Sequence, residues 1–98
     1  MEIDKIIHEP ARLRIMMILA GLEQADFKFL VTTLGLTRGN LSSHIEKLES
    51  ADYLKVKRSF KGKVRNTSYQ LTQKGSKALA QYWENLDAIR QSGSGESG

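Results

Sequence analysis

The 98 residues contain no cysteine, one proline, one tryptophan and two histidines. Without cysteine there are no disulfides, no thiolate metal sites and no thiol nucleophile. Long apolar runs are missing too. The longest, Ile15 to Ala20, has six residues, against roughly 18 for a membrane span. The N-terminus, Met1-Glu2-Ile3-Asp4-Lys5, mixes charges where a secretory signal would place a basic cluster and an apolar stretch, so a cytoplasmic location is expected. The Asn-x-Ser sequons at Asn40 and Asn66 then carry no meaning as glycosylation sites. A chain this short buries only about 60–65% of its unfolded surface, enough for one core and no separate catalytic domain. With 40% apolar residues it is nevertheless too hydrophobic for a disordered tail.

Acidic residues are missing from one region altogether. Residues 1–52 carry a net charge of −2 and residues 84–98 also −2, whereas residues 53–83 carry eight basic side chains, no carboxylate and a net +8. Such a window is a source of positive field and points to a polyanionic partner, the alternative being a strand surface kept soluble by lysines.

Apolar spacing places elements along the chain. Ile3, Ile6 and Ile7, then Ala11, Ile15, Ile18, Leu19 and Leu22, follow the three-and-four spacing of a helix divided by Pro10. A short helical piece to about His8 and a main helix from Pro10 to Ala20, ended by Gly21, are expected. Asp26 can cap a second helix bearing Phe27, Leu30, Val31 and Leu34, stopped by Gly35. Thr37 can cap a third, with Leu41, Ile45 and Leu48 inward. Two helices joined by about three residues with a glycine in the joint mark a helix-turn-helix.

Beyond Asp52 the period falls to two. Leu54, Val56, Arg58 and Phe60 alternate with lysines and serine, and Thr67, Tyr69 and Leu71 alternate beyond a Lys61-Gly62-Lys63 tip. This is a β-hairpin with a basic tip. Thr72 can cap a final helix. The expected fold is mainly α with a small β-hairpin: one winged helix-turn-helix domain over residues 1–91, with a flexible Ser/Gly tail over 92–98.

Three stretches resemble one family. Ile7-His8-Glu9-Pro10-Ala11-Arg12-Leu13-Arg14-Ile15 is similar to the opening of single-domain winged-helix regulators of the ArsR/MarR type. The run from Leu41 to Leu54 resembles their recognition helix entering the first wing strand, and Tyr69 to Gly75 their strand-to-helix exit. The resemblance spans nearly all of residues 3–90. It implies a sequence-specific regulator of transcription bound to double-stranded DNA, with a recognition helix at about 37–51 in the major groove and a wing at about 54–71 on flanking backbone or minor groove.

The residues read alike. Gly39, Asn40, Ser42, Ser43 and Lys47 project opposite the apolar stripe of the third helix, a small, polar face suited to base edges and phosphates. Arg38 begins that helix and can reach a guanine or a phosphate, while Glu46 suits DNA least. His44, at the stripe's edge, divides between packing and phosphate contact. On the wing, Lys61, Lys63 and Arg65, with Arg58 behind them, can reach phosphates or a narrow minor groove.

Two terminal stripes, Ile3, Ile6 and Ile7, and Leu79, Tyr82, Trp83, Leu86 and Ile89, argue for a homodimer, the alternative being one intramolecular core. A dimer would place two recognition helices about 34–36 Å apart or a larger multiple. No metal site and no cofactor are expected. The metal sensors of the resembling family use cysteines, so the inducing signal and any small-molecule effector stay open. An enzyme is not expected either, since the two histidines lie far apart and there is neither a nucleophile elbow nor a phosphate loop. The rival from another class is a winged helix that binds protein within transcription machinery. RNA binding would ask for exposed aromatics, for which Phe60 is the one candidate.

Overall fold

The computed structural model describes residues 2–97. Its elements are α1 (Pro10–Gly21), β1 (Ala25–Asp26), α2 (Phe27–Leu34), α3 (Arg38–Ser50), β2 (Leu54–Lys61), β3 (Val64–Leu71) and α4 (Gln73–Ser97). The three strands form one antiparallel sheet in the order β1-β3-β2. Helices packed on one face of a sheet whose longer strands run out as a hairpin make this a winged helix. No helix among the described residues is long and apolar enough to cross a membrane.

The helix ends form where the chain supplies their caps. Pro10 occupies the first turn of α1, where its missing N–H costs nothing, and Glu9 Oε2 accepts from the Arg12 N–H at 2.8 Å. Asp26 and Thr37 cap α2 and α3 through side-chain oxygens that accept from Phe29 N and Asn40 N. Thr72 Oγ1 accepts from the Gly75 N–H at 2.9 Å at the start of α4. The C-terminus of α3 closes with the Tyr53 N–H on the Leu48 carbonyl and the Asp52 N–H on that of Glu49. This pairing needs a left-handed residue, here Asp52 at φ 64° where glycine is usual.

The core gathers Ile7, Ile15, Met16, Leu30, Leu41 and Leu48, all with no exposed surface, and is closed by Leu54, Tyr69, Leu79 and Tyr82. Each such side chain contributes about 1.5–3 kcal/mol on leaving water. At Gly75, α4 approaches the chain between α3 and β2 so closely that a Cβ would stand 2.3 Å from the Tyr53 carbonyl oxygen. That approach places α4 across the base of the wing.

Four features differ from the sequence reading. The segment before Pro10 is a single hydrogen-bonded turn: Asp4 Oδ1 accepts from the N–H groups of Ile6 and Ile7 and the Asp4 carbonyl from that of His8, but the residue before Pro10 is steered away from helical geometry and the turn does not propagate. The inner stripe of α1 is Arg12, Ile15, Met16 and Leu19, while Ile18 is half-buried and Leu22 exposed. A third strand, β1, pairs Ala25 with Tyr69 and Asp26 with Ser68. Helix α4 continues through Ser97, into the stretch expected as a flexible tail. Extending an existing helix costs far less than nucleating one, which lets it run on into Ser and Gly residues. Gly98 lies outside the described residues.

Two stripes expected at a dimer interface are partly spent inside one chain. Ile7, Leu79 and Tyr82 are core residues, 0, 6 and 3% exposed, because α4 folds back over α1 and the N-terminal turn. Their burial therefore needs no second chain, and the Tyr82 hydroxyl also lies 2.8 Å from His8 Nδ1. Ile3, Ile6 and Leu86 are half-buried. Only Trp83 and Ile89 of the expected interface remain exposed, at 42 and 45%.

Candidate nucleic-acid interface

Helix α3 divides into two faces. Leu41, Ile45 and Leu48 point into the core, and Gly39, Asn40, Ser42, Ser43 and Lys47 are exposed on the other side. The outward face carries short side chains only, apart from Glu46 and Lys47 at its far end. A helix so thin on one side lets its backbone approach the floor of a groove about 12 Å wide.

The first turn of α3 is held by aromatic packing. The Arg38 guanidinium stands over the Phe27 ring, 5.0 Å from its centroid, a cation–π contact that orients the group without consuming all of its donors. Arg38 and Ser42 form one wall of an open cleft of about 550 Å³; Arg65 and Thr67 of β3 form the other, and Lys28 of α2 joins them. The one carboxylate in its lining, Asp26, is engaged by the Phe29 N–H. The cleft is therefore bounded by three cations and a single carboxylate, so that it keeps a net positive charge.

His44 does not share the outward face. Its Nδ1 lies 3.2 Å from Arg12 Nη1 and 3.6 Å from Glu9 Oε2. Nδ1 thus stands between the guanidinium of Arg12 and the carboxylate of Glu9. Packing thus claims half of the ring that the sequence reading divided between packing and phosphate contact. Arg12 is itself buried, 9% exposed, and its Nε donates to the Ile6 carbonyl at 2.6 Å. Burial pushes the Glu9 carboxyl up, but the N–H groups of Arg12 and Ala11 and the neighbouring His44 and Arg12 side chains outweigh it and hold it below its ordinary value. This cluster ties α3 to α1 and to the N-terminal turn. Sequence reasoning missed Arg12 and Glu9. The available signal was a lone charge at position 12, in phase with Ile15, Met16 and Leu19. Such a residue is buried only when paired.

The wing pairs residue by residue from Leu54 with Leu71 to Lys61 with Val64. Its turn is Gly62-Lys63, one residue shorter than the expected tip, with Gly62 at φ 65°. A positive φ at the first central residue belongs to a turn that matches the twist of the strands. Arg58, Lys61, Lys63 and Arg65 are all exposed. Asn66 and Thr67, which also line the cleft, were not singled out by charge. Among the described residues no group of His, Asp and Glu could hold a metal ion.

Residues 11–89 match the family model described as a winged helix DNA-binding domain. Over 79 residues the chain is 39% identical to an uncharacterized protein of Methanocaldococcus jannaschii, covering 80% of this chain and 85% of that one. The fold is similar to that of a transcriptional regulator homologue from Pyrococcus horikoshii OT3, with a TM-score of 0.82 and 30% identity over 89% of this chain and 86% of that one. A more distant likeness in fold is to Bacillus subtilis PadR in complex with operator DNA, with a TM-score of 0.67 and 15% identity over 76% of this chain and 47% of that one. The match over residues 11–89, which takes in the helix-turn-helix and the hairpin, makes this chain a member of the winged helix DNA-binding domain family.

Proposed function

We propose that the protein is a sequence-specific, double-stranded-DNA-binding transcriptional regulator of the ArsR/MarR type that acts as a homodimer. The observation that carries this reading is the exposed, small and polar face of α3 beside a cleft edged by Arg38, Lys28 and Arg65. In this reading α3 lies in the major groove, where Asn40, Ser42 and Ser43 meet base edges and Arg38 and Lys47 meet bases or phosphates. The wing follows the flanking backbone or minor groove with Arg58, Lys61, Lys63 and Arg65. The structural relative from Pyrococcus horikoshii OT3 is described as a transcriptional regulator homologue, and the distant PadR fold was captured on operator DNA; both support the reading. Exposed Trp83 and Ile89 on the outer half of α4 support pairing with a second copy.

Fluorescence anisotropy on duplexes enriched from a random library tests it. Log affinity should fall linearly with log salt, by about 0.9 for each phosphate neutralised. Footprints should show two half-sites one helical turn apart or a multiple. Absence of duplex binding at low salt would overturn the regulator reading, and a monomer in sedimentation at micromolar concentration would overturn the homodimer.

A further inference from the structure

Among the described residues the largest apolar exposures lie at the tip of the most basic element. Phe60 and Val64 are each 68% exposed. Between Lys57 and Arg65 the hairpin carries Lys57, Arg58, Lys61, Lys63 and Arg65 and no carboxylate. Phe60 stands opposite Arg65 and, by the two-residue alternation of a strand, on the same sheet face as Arg58. That face also carries Arg65 and Thr67, which line the cleft beside α3. Nearer the base of the hairpin the same face is the core, through Leu54, Val56 and Tyr69. Phe60 thus continues an inward-facing row outward, past the point where the protein has anything to cover it.

A bare aromatic ring whose charged neighbours on the hairpin are all cations fits a partner that is apolar at its centre and anionic at its rim. Stacked base pairs between two phosphate chains have that character. Phenylalanine has no hydrogen-bonding atom and cannot read the donors and acceptors of a base edge. Two paired strands are already about 4.8 Å apart before side chains are counted, against a minor groove about 6 Å wide, so the hairpin as a whole cannot enter an undistorted groove. A single side chain at its tip can.

We propose that Phe60 is a wedge: its ring inserts between adjacent base pairs in the minor groove flanking the recognition site and kinks the duplex there. The wing then selects DNA that unstacks cheaply, namely pyrimidine–purine steps such as TA and CA/TG, in addition to neutralising phosphates. This inference rests on the DNA-binding reading and adds to it a specificity-determining residue at a position with no base-edge contact.

The test uses the full chain and its Phe60→Ala and Phe60→Leu variants, each selecting from a random duplex library. End-to-end energy transfer is then measured on the duplexes enriched by the wild type. The wild type and Phe60→Leu, which keeps an apolar wedge, should enrich a pyrimidine–purine step at a fixed distance from the half-site and shorten the end-to-end distance. Phe60→Ala should lose that positional preference, leave the duplex straight and bind the wild-type site about tenfold more weakly, the scale of losing one stacked ring. Identical flanking sequences and identical bending for wild type and Phe60→Ala would overturn the wedge while leaving the regulator reading intact. A wild type that enriches no duplex would overturn both.

Discussion

Helix α3 and the wing face the same cleft, yet they are held in opposite ways. Helix α3 has Leu41, Ile45 and Leu48 at 3% exposure or less. Thr37 caps its start, the Tyr53 N–H closes its end, and Arg12 grips it from behind through His44. The outer half of the hairpin, from Lys57 to Arg65, is exposed at every position and held by its own ladder alone. Hydrogen bonds to base edges lose their value with small displacements, whereas attraction to a line of phosphates survives them. In the proposed function the rigid element carries the groups that need fixed geometry, and the loosely held one carries charge.

The sharpest way to break this contrast is to compare truncations in the two regions. Leu41→Ala empties a site with no exposed surface and should lower stability by about 2–5 kcal/mol. Val64→Ala at the wing tip should change it by less than about 0.5 kcal/mol. Urea unfolding followed by circular dichroism measures both. Similar losses would mean that the wing shares the core's cooperativity and is not the loosely held element.

What could be read from the sequence follows the same division. The helix starts at Asp26, Thr37 and Thr72 were legible because each cap is a local event between residues three apart. The hairpin was legible because alternation over eight residues is a strong period. Strand β1 was not, since two residues carry no period and Ala25 and Asp26 acquire strand geometry only by pairing with Tyr69 and Ser68. The outward residues of α3 followed from its inward stripe, but the inward turn of His44 depends on Arg12, 32 positions away. Ile7, Leu79 and Tyr82 were expected at an interface because an apolar stripe does not say which surface covers it.

A second comparison separates readout from attraction. Asn40→Ala should change which base is preferred at one position of the half-site, by about 1–3 kcal/mol of discrimination, with little effect on the salt slope. Lys63→Ala combined with Arg65→Ala should weaken binding to all sequences alike and flatten the slope by up to about 0.9 for each phosphate no longer neutralised. Competition titrations at several salt concentrations distinguish the two. If the wing variant altered base preference at the half-site, charge and readout would not be divided between wing and helix.

The junction between the two elements gives the smallest effect and the most specific one. Tyr53 lies between α3 and β2; its hydroxyl donates to Asp4 Oδ2 and its carbonyl accepts from the Thr72 N–H. Burial, the hydrogen bond to Asp4 and the charge of Asp4 push the phenol up to about 12 from an ordinary value of 10.0. Because the folded state favours the protonated phenol, this contribution to stability is complete below about pH 10, where both states hold the proton. It is lost as pH rises from about 10 to 12, where the unfolded chain releases the proton first. Tyr53→Phe should cost roughly 1 kcal/mol at neutral pH, the scale of one hydrogen bond. The difference from wild type should then shrink across that alkaline window as the tyrosine loses its advantage. Urea midpoints taken at intervals from about pH 8 to 12 measure this. A difference that stays constant through the window would show that the phenol proton is not what joins the anchored helix to the N-terminal turn at the root of the wing.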